Sequence, residues 1–588
     1  MAKRNRFDVD EKLESEFSFK HLKRVTVYIK KHWFKMFIAL ICSVVSVVSG
    51  LLYPLILQRA FDVTIPNKDV KELIILSVIL ILSIALSIAM VCVRTRLMVI
   101  TGQKIIYEIR KDLFEHLQKL PFQYYDDRPQ GKILTRVIQY VNGISDALTG
   151  TLINLVLDVI NIIFIGVFMF SVDVKLSFVV LAGLPVFGTI MFFLPRIMRK
   201  GWRNYSNKNS NLNAYTQESV DGMKITQLFA REEMNEKTYV DLSKVQAKSW
   251  KVLINYLNVG WTTTENLTCW IKGAIYLVGI LAFGGTTSFG TIVAISDYAI
   301  RFWGPISNMS ASFNQIINAV SYLERIFEVI DEPVIVEDTP DAKAIEISSG
   351  EVKFDNVTFA YESDVNILEN VSFTAHPGES IAFVGPTGAG KTTVVNLISR
   401  FYNVNDGAVL IDGDDISKVT LKSLRSQMGV MLQDSFIFSG TIADNIRYSK
   451  LDATDAEIKK VCKVLGIDGM IKKLGGYEAK INERGGGLSQ GQKQLIAIAR
   501  TMLSDPKIII LDEATSSIDA KTEKMVQNAI EELLKGRTSF IIAHRLSTIR
   551  NCDKIMVISD KGIKESGSHE ELLEKKGAYY KLYTAQMA

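Results

Sequence analysis

Three short stretches in the C-terminal half hold residue types suited to phosphate-transfer chemistry. Gly385, Pro386, Thr387, Gly388, Ala389, Gly390, Lys391, Thr392 and Thr393 follow the apolar run Ser380 to Val384 and precede a helical pattern. Glycines at this spacing let backbone N–H groups surround phosphate oxygens, Lys391 adds a positive charge, and the Thr392 hydroxyl is a ligand for Mg2+. Further on, the run Ile508 to Leu511 ends in two acids, Asp512 and Glu513. A buried strand that delivers adjacent carboxylates offers one to a metal ion and the other to a water molecule as orienting group or base. The plainer alternative is a pair of acids capping a strand end. Between the two lies Leu488-Ser489-Gln490-Gly491-Gln492, opening a helical segment whose N-terminus favours a phosphate.

These residues need a scaffold that brings strand ends together. From Glu351 onward, β-rich runs alternate with helical patterns, as expected of an α/β domain on a mainly parallel sheet. The stretch 333–350 is polar and contains Pro333 and Pro340, the composition of a joint between domains. The expected organisation is therefore 1–332, a linker at 333–350, and an α/β domain at 351–588.

The first 332 residues are of another kind. The chain is 48% hydrophobic, with a positive mean hydropathy, more than a soluble globule usually carries. Apolar stretches long enough for a ~30 Å hydrocarbon core run over Phe37 to Ile56, Leu73 to Val93, Leu148 to Val172 and Leu176 to Leu194. The third and fourth are joined by an expected Asp173-Val174-Lys175 link. Val252 to Phe283 and Thr291 to Phe313 bring the expected spans to six, although both hold ionisable residues. Lys and Arg number ten in residues 1–35 and nine in 94–147, against three, one and none in the links after spans one, three and five. That asymmetry predicts both termini in the cytosol. The long connections Arg94 to Ala147 and Pro195 to Lys251 read as helical continuations. Inside the spans, Asp158, Glu265, Lys272, Asp297 and Arg301 are candidate substrate contacts or partners of one another. Among the tryptophans, Trp261, Trp270 and Trp303 either line a pocket or anchor at the interface. A net charge of +5, without a dense basic patch, argues against a nucleic-acid partner. Five scattered cysteines indicate neither zinc nor disulfides.

Taken in order, these motifs resemble those of the ATP-binding cassette transporters, and within them the exporters whose membrane and nucleotide domains share one polypeptide. The resemblance covers nearly the whole chain. It implies a bundle of six transmembrane helices fused to an α/β P-loop ATPase domain, with ATP and Mg2+ bound. It puts Tyr361 on adenine, Gln433 on Mg2+ and the attacking water, Asp512 on Mg2+, Glu513 as the catalytic base, Asp519 in the following loop, and His544 on the γ-phosphate. Ser489, Gly491 and Gln492 contact a second nucleotide face. Tyr124 to Arg136 and Glu218 to Glu232 resemble the two cytoplasmic coupling turns, and Asn482-Glu483-Arg484-Gly485 the short relay loop. Tyr140 departs from the family, which often has an acid there.

In such proteins a nucleotide closes between the P-loop of one domain and the signature helix of another, and this chain has one of each. The resemblance therefore implies a second half-transporter as partner. Gln490 replaces the first glycine of the usual Leu-Ser-Gly-Gly-Gln beside an intact Glu513, a pattern like that of the competent half of heterodimeric bacterial multidrug exporters. A heterodimer is the preferred expectation and a homodimer the alternative. The implied function is ATP-driven export of a small amphipathic molecule, lipid or peptide across the cytoplasmic membrane. An ATP-gated channel or regulator, or an importer on the exporter plan, is the alternative.

Overall fold

The computed structural model describes residues 20–126, 128, 130–146, 150–281, 287–361, 365–431, 435–513, 519–543 and 549–587. The chain divides into two compact units: Met1–Gln118 with Gln130–Glu332, and Lys119–Pro129 with Pro333–Ala588.

The first unit is helical. Its long members are Trp33–Arg59, Val70–Leu117, Leu152–Val172, Gly183–Asp221, Glu232–Leu281 and Phe289–Ile330, with Val174–Leu181 leading into the fourth. At 1.5 Å per residue the 48 residues of Val70–Leu117 reach about 72 Å, more than twice a ~30 Å hydrocarbon core. Trp33–Thr64, Val70–Leu117 and Ile153–Val172 are each long and apolar enough to cross a membrane, and shorter apolar helices run over Val174–Val186 and Thr268–Leu281. Ile74, Ile75, Ile81, Leu82 and Ile88 all face outward from the Val70–Leu117 helix. Such an apolar exterior is tolerated in lipid and costly in water.

The chain reverses between the third and fourth spans at Asp173 alone. Its carboxylate accepts the Leu176 N–H at 2.9 Å and caps the next helix, so Val174 and Lys175 are already helical rather than part of a link. At the start of Phe289–Ile330, Asp62 Oδ1 accepts the Gly290 N–H at 2.7 Å and Oδ2 accepts the Ser288 hydroxyl at 2.5 Å. A Cβ at Gly290 would stand 2.6 Å from Gln58 O, so only glycine permits this approach.

The second unit is built on sheets. Its strands are β1 (Val352–Ala360), β2 (Asn366–Ala375), β3 (Ser380–Val384), β4 (Asp406–Ile411), β5 (Asp414–Asp415), β6 (Met428–Met431), β7 (Gly440–Thr441), β8 (Lys480–Ile481), β9 (Ile508–Glu513), β10 (Thr538–Ala543), β11 (Lys554–Ser559) and β12 (Gly562–Gly567). The main sheet has the order β12-β11-β3-β10-β9-β6. It is parallel from β11 to β6 and antiparallel only at β12. A smaller antiparallel sheet has the order β2-β1-β4-β5. Because successive strand residues point to opposite faces, Ala382, Val384, Ile509 and Leu511 enter one core. Ile381, Phe383, Ile508 and Ile510 enter the other. A sheet buried on both faces explains why β3 and β9 read as unbroken apolar runs.

Candidate nucleotide site

The loop from Gly385 to Gly390 joins β3 to the helix Lys391–Ile398. Gly385, Gly388 and Gly390 have φ values of 150°, 83° and 103°, a region that favours glycine. A Cβ at Gly385 would lie 2.2 Å from Ile558 O, which fixes the loop against the end of β11, whereas one at Gly388 would meet nothing within 4 Å. The open side is where a phosphate can approach. Lys391 Nζ folds back over the loop and donates to Gly385 O at 2.8 Å and Pro386 O at 2.9 Å. Burial lowers the pKa of this amine, and the charge of Asp512 partly opposes that shift. Thr392 is exposed and Thr393 buried in the first helical turn.

Neighbouring parallel strands deliver the remaining groups. Phe383 of β3 is level with Ile542 of β10, which is level with Asp512 of β9. Glu513 ends β9 opposite Ala543, one residue before His544. Leu511 pairs with Met431 of β6, two residues before Gln433. The carboxyl ends of β3, β10, β9 and β6 therefore open on one edge, where ligands of open α/β sheets bind. Gln433, His544 and the side chain of Glu513 lie outside the described residues. Asp519 caps the helix Ala520–Leu534, accepting the Thr522 N–H at 2.9 Å.

Tyr361, at the end of β1, lies edge-on to Phe359 with ring centroids 4.9 Å apart. Its hydroxyl is 3.1 Å from Thr393 Oγ1. Tyr402 meets the same ring edge-on at 5.0 Å. The residues Lys119–Pro129 pack in this unit too: Phe122 stacks on Phe401 at 5.0 Å, and the Tyr402 hydroxyl donates to Asp126 Oδ2 at 3.0 Å. Asp126 falls within the Tyr124–Arg136 stretch that resembles a coupling turn, whereas Tyr402 stands out in the sequence only as one of the adjacent aromatics Phe401 and Tyr402.

Ser489 is the N-cap of Gln490–Leu503 in a reciprocal capping box with Gln492. Its hydroxyl accepts the Gln492 N–H at 3.3 Å, and Gln492 Oε1 accepts the Ser489 N–H at 2.9 Å. Gln490 occupies the first helical position and Gly491 is buried behind it. Lys493, one residue past the motif, donates to Arg484 O at 2.7 Å. This ties the Asn482–Gly485 loop to the helix.

Among the ionisable residues of the helical unit, Asp297 and Arg301 pair at 2.7 Å. Asp158 is buried on Leu152–Val172, with no hydrogen-bond partner for Oδ2 among the described residues. Lys272 is half-buried, and the side chains of Glu265 and Trp261 lie outside the described residues. Trp303 is buried in the bundle and Trp270 is exposed. Tyr140 stacks on Tyr322 at 5.2 Å.

Comparison with known proteins agrees with both units. Residues 36–306 match the family described as ABC transporter transmembrane region, and residues 368–516 match the family described as ABC transporter. The chain is 36% identical over 569 residues to the ABC transporter ATP-binding protein YfiC of Bacillus subtilis (strain 168), covering 96% of this chain and 94% of that protein. It is 37% identical over 503 residues to a probable multidrug resistance ABC transporter ATP-binding/permease protein, YheH, of the same organism, covering 83% and 73%. A solved bacterial Atm1-family ABC exporter with ATP bound superposes with a TM-score of 0.75 at 26% identity, over 96% of this chain and 99% of that one. Six long helices among the described residues, a P-loop α/β unit and these matches lead to one conclusion: the chain belongs to the ABC transporters, as an exporter half-transporter that carries a multi-pass membrane domain and an ATP-hydrolysing domain on one polypeptide.

Proposed function

We propose that this chain is the hydrolysing half of a heterodimeric exporter of small amphipathic molecules, in the cytoplasmic membrane, with both termini and the ATPase domain in the cytosol. The observation that carries the ATPase roles is the shared edge of β3, β10, β9 and β6, from which the P-loop, His544, Glu513 and Gln433 each follow in the chain. On this reading the residues 385–393 cradle the triphosphate, with Gly388 leaving room for close approach. Lys391 exchanges the carbonyls of Gly385 and Pro386 for phosphate oxygens, so its ammonium is positioned before the ligand arrives. Tyr361 stacks on the adenine. Mg2+, which Thr392, Asp512 and Gln433 are the right oxygen donors to hold, supplies charge neutralisation at the phosphates. Glu513 orients the attacking water and takes its proton, and His544 holds the γ-phosphate.

The second face of a nucleotide comes from the partner, and Ser489, Gly491 and Gln492 of this chain serve the partner's site. Gln490 supports a heterodimer, because a long side chain at the first turn of the signature helix crowds the place where a phosphate must approach. Binding draws the two ATPase domains together because only the closed state contacts both faces of each nucleotide. The resemblance of YheH, by its name a multidrug resistance protein, supports amphipathic cargo, and Asp158 is a candidate contact for it.

Two measurements test this. Glu513→Gln should keep ATP affinity within about twofold and lower turnover by two to four orders of magnitude. Normal hydrolysis in that variant removes Glu513 as the base. The subunit purified alone should be inactive and regain hydrolysis and vesicle flux when a second half-transporter is added. Full activity as a homodimer rejects the heterodimer.

A further inference from the structure

We propose that the corner between the helices Lys20–Lys30 and Trp33–Arg59 is a binding site for the headgroup phosphate of an anionic phospholipid, held by Lys30 and Lys35, with Trp33 and Phe34 against the lipid's glycerol and upper acyl chain. This rests on the reading of the first span as inserted in the membrane with its N-terminal end in the cytosol. Residues 20–35 hold six Lys or Arg and no Asp or Glu. Orientation asks only that such charge lie on the cytosolic side; it does not ask that the protein leave the charge unneutralised. The six residues divide on that point.

One side of the helix Lys20–Lys30 is spent on the bundle. Arg24 donates to Asp331 through both Nη atoms, at 2.5 and 2.8 Å, and lies 4.1 Å over the Phe327 ring. Val25 beside it is buried, and the Tyr28 hydroxyl donates to Asp112 at 2.8 Å. Just past the helix, Lys31 Nζ donates to Glu108 at 2.7 Å. The acids within reach of this side are thus already answered. Lys20, Lys23, Val27 and Lys30 recur at the three- and four-residue spacing of another face, on which Val27 and Lys30 are exposed. Lys30 and the half-buried Lys35 make no hydrogen bond or ion pair among the described residues. They flank the turn Lys31–His32, where the chain passes into the first span. Trp33 and Phe34 open that span 64% and 59% exposed, edge-on to each other at 5.9 Å, with Phe37 6.5 Å from Trp33. Rings of this kind settle at headgroup level, which puts two free ammonium groups where a lipid phosphate lies. A zwitterionic lipid brings its own cation and gains little there, whereas each lysine favours an anionic headgroup by about fivefold. A soluble phosphate would meet the lysines and leave the rings uncovered, so the occupant is a lipid.

The test uses the full-length protein in nanodiscs of phosphatidylcholine with a minor share of phosphatidylglycerol, one lipid or the other carrying bromine near the headgroup end of its chains. Quenching of Trp33 is read as the difference between wild type and Trp33→Phe. Per molecule, brominated phosphatidylglycerol should quench about three- to tenfold more than brominated phosphatidylcholine. Lys30→Gln/Lys35→Gln should bring that ratio near one, Lys30→Arg/Lys35→Arg should keep it, and Lys68→Gln/Lys71→Gln, at the other end of the first span, should leave it unchanged. High salt should act on wild type as the glutamine pair does, without any substitution. A wild-type ratio near one overturns the proposal, as does a ratio that survives the glutamine pair. An equal loss in Lys68→Gln/Lys71→Gln means a general field rather than a site, and competition by soluble glycerophosphoglycerol means a site for soluble anions; either also overturns it. If neither brominated lipid quenches Trp33, the membrane placement of the first span falls and takes this inference with it, whereas equal quenching by both lipids sinks the inference alone.

Discussion

At the scale of single residues the site is a set of backbone constraints with one half-buried cation placed over them. Lys391 sits with its ammonium on two loop carbonyls, and burial already disfavours its charge, so an incoming polyphosphate gains a donor that needs no rearrangement of the chain. Lys391→Ala should lower hydrolysis by about 10²–10³-fold without lowering the melting temperature, since among the described residues its side-chain hydrogen bonds go to the loop it crosses. A melting point that drops along with activity would mean the lysine is holding the loop together instead. Gly385→Ala should behave in the opposite way, because its Cβ would sit 2.2 Å from Ile558 O at a φ of 150°. It should destabilise the ATPase unit by about 1–3 kcal/mol, seen as a lowered midpoint of thermal unfolding in detergent. These positions were legible in the sequence because the P-loop's function is local: its spacing along the chain is its geometry. The contact between Tyr402 and Asp126 was not, because 276 residues separate them and neither type nor spacing records a contact made only by folding.

At the scale of elements, apolar runs and caps carried most of the information. The runs at β3 and β9 are unbroken because both faces of the sheet are buried, and that signal needs no partner to be read. The turn at Asp173 was less plain, since Val174 and Lys175 look like link residues until the carboxylate is seen capping the helix they begin. The loop Ser348 to Glu351 is organised in a similar way by an acid distant in sequence. Burial raises the pKa of Asp412, but the Ser349 hydroxyl and N–H and the Glu351 N–H outweigh it and hold the carboxyl at about 2. A folded pKa below the unfolded value of about 3.9 gives stability that is present above about pH 4 and lost as pH falls toward 2. Asp412→Asn, which tolerates the left-handed φ of 51°, should therefore cost about 1 kcal/mol at neutral pH, discounted for the partial exposure of the group. The gap in melting temperature from wild type should narrow steadily between pH 4 and 2. A gap that stays constant over that range would show that the cost is steric and not the charge.

At the scale of the whole molecule, the decisive property is an apolar exterior that no packing among the described residues covers. Ile81 and Leu82 are 65% and 63% exposed in the middle of the Val70–Leu117 apolar stretch, and burying such residues in lipid is worth about 1.5–3 kcal/mol each. Water is therefore a poor solvent for this face, and the charge asymmetry of the flanking segments decides which way it is inserted. Both statements can be tested together by cysteine chemistry in intact cells, after Cys92 and Cys269, the two exposed native thiols, are replaced by serine. Lys68→Cys, in the link between the first two spans, should react with a charged, membrane-impermeant thiosulfonate added outside. Lys119→Cys should react with it only after permeabilisation. Ile81→Cys should resist the charged reagent on both sides and accept a lipid-soluble maleimide. Labelling of Lys119→Cys from outside and of Lys68→Cys only from inside would invert the proposed orientation. Equal access of the charged reagent to Ile81→Cys would mean that this face borders water, and the span would have to be reassigned as the lining of an aqueous path.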